Sequence, residues 1–244
     1  MFGVKPLFEH FANPSIIEHL FRPNPRALLQ LRRALSRAHH AACQARDWAI
    51  ARQDIESEEV YIAASLNDIA EQMLCYLAPE AAEKLTEEIR RDPEGTREAQ
   101  QALLGFDLRA LHAEIVRAFQ LPDLLQELTD PNHMEKPRVL NVQLAASIAR
   151  HAEFGWHGAV LERDMEAIAA LLRLPLDEVV GRIHRTAALA ARAWQWYKAP
   201  PAARWLPLLP PRGRPPRPVR LRRISRRRSP SRPAAARSIP PCAT

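Results

Sequence analysis

The residues best suited to metal or nucleophile chemistry in this chain are nine histidines and three cysteines. Cys43, Cys75 and Cys242 stand far apart, with no CxxC pair and no even framework. That excludes a zinc ribbon and a disulfide scaffold and suits a reducing compartment. Adjacent His39 and His40 point about 100° apart on a helix, so at most one can face a given site. His112, His151, His157 and His184 share no spacing that suggests a site and are expected at the surface or at caps. Asp68 is a single carboxylate, expected to cap a neighbouring segment or pair with an arginine. Seven glycines form neither GxGxxG nor GxxxxGK[ST], so the usual phosphate-cradling loops are absent. Trp194, Trp196 and Trp205 would suit a peptide groove, but sealing the end of a bundle is the expected role.

The elements that must position these residues read as helices. Asn13-Pro14 opens a short helix to 21, and Asn24-Pro25 opens the longest, to about 53. Leu28, Leu31, Leu35, Ala38, Ala42, Ala45 and Ala49 step by three and four along one face. Arg32, Arg33, Arg37, Arg46 and Arg52 lie off that stripe and are expected in solvent. Ser57 is a candidate cap for the next helix, with Ile62, Leu66, Ile69, Met73 and Leu77 inward. Pro79 starts a helix with Ala82, Leu85 and Ile89 inside, and another runs over 97–104 to Gly105. Asp107 caps 108–119, with Leu108, Leu111, Ile115 and Phe119 inside. Further helices start at Pro122 and Pro137 and cover 162–172 and 176–197. No stretch alternates at period two, so the fold class is all-α, an irregular bundle.

Charge divides the chain. The formal net charge of the 244 residues is +7. Residues 199–244 hold 12 arginines, no lysine and no acid, leaving 1–198 at −5. The reading is therefore a helical domain over 1–198 and a Pro/Arg-rich tail over 199–244. The tail holds too little apolar surface to offset chain entropy and is expected to be disordered. Arg220, Arg222, Arg223, Arg226, Arg227 and Arg228 would make weak, salt-dependent phosphate contacts. Ser225 and Ser229 follow arginines and are candidate phosphorylation sites. A competing reading is that the stretch beyond Pro211 is a gene read in a shifted frame. No apolar run of about 18 residues is long enough to span a membrane. The N-terminal residues lack the pattern of a secretory signal, so the expected location is the cytoplasm.

A set of short motifs carries a resemblance. Tyr61-Ile62-Ala63-Ala64-Ser65-Leu66-Asn67-Asp68-Ile69-Ala70-Glu71 resembles the helix that carries the metal-binding His-Asp pair of the HD superfamily. Trp48-Ala49 precedes it. Leu104-Gly105-Phe106-Asp107 resembles an LG-x-D/S element, and Ala118-Phe119-Gln120-Leu121-Pro122-Asp123-Leu124-Leu125 a W-x-LP-x-x-L pattern. As a set, covering about residues 1–210, they resemble the HDOD domain, the HD-related output domain of bacterial signalling proteins. Phe2-Gly3-Val4 is similar to a family element preceded by further helices, which implies that the N-terminal part is incomplete.

The resemblance implies a site and its loss. An HD hydrolase uses a distant His, the His-Asp pair and a later Asp to hold cations that activate water and clamp phosphate. Here Asn67 stands where the pair has His, and a neutral amide is a poor ligand for a transition metal. Asp68 remains, His39 or His40 lies where the first ligand would come from, and His133 is the downstream candidate. These five are expected to be vestigial, with no catalytic residue, cofactor or metal. The expected function is a non-catalytic signalling module that binds an unidentified partner protein. The alternatives are a residual nucleotide phosphohydrolase using Asp68, His133 and one of His39 and His40, and non-specific nucleic-acid binding by the tail.

Overall fold

A computed structural model of the protein describes residues 17–21, 24–91, 96–203 and 206. All of them fall within one compact unit spanning 1–209. They form helices joined by turns, with no strand among the described residues, in agreement with the all-α reading. In chain order these are α1 (Ile17–Leu20), α2 (Pro25–Ala51), α3 (Ser57–Leu66), α4 (Ile69–Leu77), α5 (Pro79–Arg91), α6 (Thr96–Leu104), α7 (Leu108–Ala118) and α8 (Asp123–Glu127). A 3-10 turn at Pro131–His133 leads to α9 (Pro137–Ala152), α10 (Ala159–Leu172), α11 (Leu176–Ala191) and α12 (Trp194–Tyr197). The expected disorder of the tail, its phosphate-contacting arginines and Trp205 lie outside the described residues.

Helix α2 is the axis of the unit. Asn24 caps it, its Oδ1 accepting from the Ala27 amide at 3.0 Å, and Pro25 occupies the first helical position. At 27 residues it spans about 40 Å. Its alanines at 34, 38, 41, 42, 45 and 49 are all buried. Small side chains let α3, α9 and α11 approach the α2 backbone closely, and α4 and α12 also pack on it. Arg182 of α11 reaches Asp47 of α2 at 3.0 Å. Arg138 of α9 holds Asp54, Glu56 and Glu59 across the α2–α3 turn at 2.8–3.1 Å.

Two apolar clusters share α2. The smaller takes its first half: Phe21, Ala27, Leu31, Leu74, Cys75, Ala82 and Leu85. The larger begins at Ala42 and gathers Trp48, Val60, Leu125, Val142, Ile148, Ile168, Val179 and Ile183. Ala199, Ala202 and Ala203 are buried as well, and Leu206 packs on the larger cluster. Burying apolar surface at roughly 25 cal/mol per Å² drives both clusters, each of which needs α2 as a wall.

Several expectations are corrected. Residues 57–77 form two helices, broken at Asn67-Asp68, so one continuous stripe is impossible. Ile62 and Leu77 are exposed, while Val60, Ala63, Ala64, Ala70, Leu74 and Cys75 face inward. The run 176–197 also breaks, between α11 and α12. Phe119 is exposed, because it follows α7 where the chain turns through Gln120 at φ +50°. Trp196 is 81% exposed and so does not seal the bundle. His112 and His184 are buried, His184 edge-on to the Trp156 ring with centroids 4.5 Å apart. Arg37 is buried, not solvated. Asp107 caps α7 as expected, accepting from the Ala110 amide at 2.7 Å.

Candidate functional site

The break at Asn67-Asp68 projects a carboxylate from the turn between α3 and α4. Asp68 occupies the N-cap position of α4, yet its side chain accepts no capping bond there. Its oxygens turn instead to two arginines. Arg150 of α9 donates through Nη2 to Oδ1 at 3.0 Å, and Arg37 of α2 places Nε 3.7 Å from Oδ2. The Asn67 amide donates to Oδ1 at 3.0 Å. Of the two roles read from the sequence, pairing with arginine is the one observed.

Arg37 binds more than Asp68. Its Nη2 reaches Glu71 at 2.5 Å and its Nη1 reaches Glu153 at 3.3 Å. The side chains of Arg37 and Asp68 are only 11% and 10% exposed, whereas Arg150 is 53% exposed. Three carboxylates and two guanidiniums thus meet across α2, α4 and the end of α9. Burial works against the charged form of Arg37, but Glu71, Asp68 and Glu153 outweigh it and hold the guanidinium protonated. Burial likewise opposes ionisation of Asp68, while Arg150, Arg37 and the Asn67 bond hold its carboxyl below the usual carboxylate range. His112 faces this cluster from α7. Burial pushes its imidazole down and the Asp68 charge pulls it partly back.

The remaining candidates lie elsewhere. His39 meets Cys43 at 3.5 Å and Tyr61 at 3.4 Å, and packs on the Tyr197 ring. His40 is fully buried. Its Nε2 lies 3.1 Å from the Gln44 amide nitrogen, which also donates to the Ile183 carbonyl at 2.9 Å. Burial, with His39 adding to it, pushes the His40 imidazole down to about 4, so it is neutral and accepts from Gln44. His133 sits in the 3-10 turn with Nδ1 3.7 Å from Asp130. None of these contacts involves Asp68. The residue that α2 presents to Asp68 is Arg37, which the stripe reading had assigned to solvent.

Sequence reasoning named His151 only as a surface or cap residue and missed Ser147 and Asp164, which it meets between α9 and α10. Ser147 Oγ donates to Asp164 at 2.6 Å, and His151 Nδ1 donates to the Ser147 carbonyl at 2.9 Å. A triad needs one ring nitrogen on the hydroxyl and the other on the carboxylate. Here Nδ1 faces both groups, so the arrangement does not activate the serine.

A family model of the HDOD domain matches residues 3–134, more than half of the chain. The chain belongs to the HDOD family. Comparison with curated proteins and with solved structures gives no match. HDOD domains are related to the HD superfamily, whose metal would lie at Asp68. The donors of this HDOD chain do not fit a metal there. Asp68 is committed to guanidiniums, Asn67 turns an N–H toward it, and neither His39 nor His40 nor His133 contacts it. Among the described residues no group of three or more His, Cys, Asp or Glu is arranged to hold a metal ion. No described helix is long and apolar enough to cross a membrane.

Proposed function

We propose that this HDOD chain is a non-catalytic regulatory module of bacterial signal transduction, working in the cytoplasm by binding a partner protein. The observation that carries the reading is the pairing of Asp68 with Arg37 and Arg150 in the place where a hydrolase would need a free ligand. Activation of water calls for a cation with an open coordination position. A carboxylate shared between two guanidiniums, beside an amide in place of imidazole, offers no such position. On this reading the function is binding through the helical surface, and exposed Leu77, Phe119, Phe154 and Trp196 are candidate contact residues.

The test is turnover of p-nitrophenyl phosphate and bis(p-nitrophenyl) phosphate by the full chain, with and without Mn2+. The expected rate equals that of Asp68→Ala and of buffer. A Mn2+-dependent rate abolished by Asp68→Ala would overturn the reading and restore the phosphohydrolase.

A further inference from the structure

The centre of the carboxylate cluster is taken by a side chain. Each nitrogen of the Arg37 guanidinium faces a different acid: Nε faces Asp68, Nη2 faces Glu71 and Nη1 faces Glu153. These acids come from the α3–α4 turn, from α4 and from the residue that ends α9. Arg150 adds a second positive charge on the Asp68 side. The cluster lies where the two apolar clusters meet along α2, between Leu31 of one and Ala42 of the other.

We propose that Arg37, assisted by Arg150, is the resident cation of this site. It supplies the neutralisation and the bridging between elements that a divalent metal supplies in an HD centre, and it closes the site to metal. The inference rests on the non-catalytic reading and deepens it. Two features argue for it. The paired guanidiniums carry two positive charges, the charge of one divalent ion. A planar fork can also face three carboxylates at once, donating from Nη2 to Glu71 and from Nη1 to Glu153 with Nε at ion-pair distance from Asp68, which a lysine ammonium does less well at fixed geometry. The carboxylates are oxygen donors, the chemistry of Mn2+ and Mg2+ rather than of a soft metal.

The experiment is thermal unfolding of the full chain and of Arg37→Gln over a Mn2+ titration. Glutamine keeps a polar side chain but removes the charge. Arg37→Gln is expected to melt below the wild type and to gain about 3–6 °C when Mn2+ reaches ten times its Kd. The wild type should not respond, Arg37→Lys should melt between the two and respond little, and Arg37→Gln/Asp68→Asn should lose the response. An Arg37→Gln protein that ignores Mn2+, or that responds no more than the wild type, overturns the proposal. So does failure of Arg37→Gln to fold with or without Mn2+, because a metal should replace the guanidinium. Turnover by the wild type would instead sink the non-catalytic reading, so the two failures are distinguishable.

Discussion

A carboxylate as deep as Asp68 needs a positive partner, and two arginines provide it. Asp68→Asn keeps the shape and removes the charge, leaving Arg37 with Glu71 and Glu153. It is expected to cost about 1–3 kcal/mol by urea denaturation at neutral pH. Arg150→Ala, at an exposed partner, should cost under about 1 kcal/mol. Equal losses would show that the exposed contact matters as much as the buried one. Acid separates two of the buried titrating groups. The Asp68 carboxyl titrates lower in the fold than in the unfolded chain. Its stabilisation is therefore complete above the ordinary aspartate range and is lost as pH falls through the lowered value. His40 titrates near 4 in the fold and near 6.5 when unfolded. Between those values only the unfolded chain binds the proton, so stability falls as pH drops from about 6.5 to 4, by about 3 kcal/mol at most. His40→Gln should flatten that decline, measured by urea denaturation across the range. An unchanged slope in His40→Gln would assign it to other groups.

At the scale of elements, small residues and caps explain the packing. Ala45 is fully buried on α2, and its carbonyl accepts from the Asn141 amide of α9 at 3.1 Å. Ala45→Leu should cost about 1–3 kcal/mol or more, because α9 would have to move off α2. Asp107→Ala should cost about 1 kcal/mol by removing the α7 cap. Both are read from urea midpoints, and a neutral Ala45→Leu would contradict the close packing. Helix starts were legible in the sequence wherever chemistry marks them, at Asn24-Pro25, Asp107 and Pro137. The break at Asn67-Asp68 was not, because its apolar spacing allows one continuous helix and no Gly or Pro marks the turn. Arg37 was misread for a related reason. A stripe of alanines and leucines names the apolar face only. It is silent about an arginine whose partners, Asp68, Glu71 and Glu153, lie 31 to 116 residues away.

Across the whole unit, α2 is a wall common to two apolar clusters, and the charged network sits at the seam between them. The larger cluster contains Trp48, Leu124 and Leu125, which lie within the residues matched by the family model. The sequence alone showed Asn67 beside Asp68 as the point where the resemblance to the HD pair departs. The arginine partners of Asp68 were not legible, because they come from α2 and α9 by folding. The pairing ties α2, α9 and the α3–α4 turn together at Asp68.

Under the proposed reading Asp68 belongs to arginines and not to a metal. Calorimetric titration of the full chain with Mn2+, beside Asp68→Asn, tests it most directly. No saturable heat is expected in the wild type, and no difference between the two proteins. Stoichiometric binding by the wild type that disappears in Asp68→Asn would contradict it.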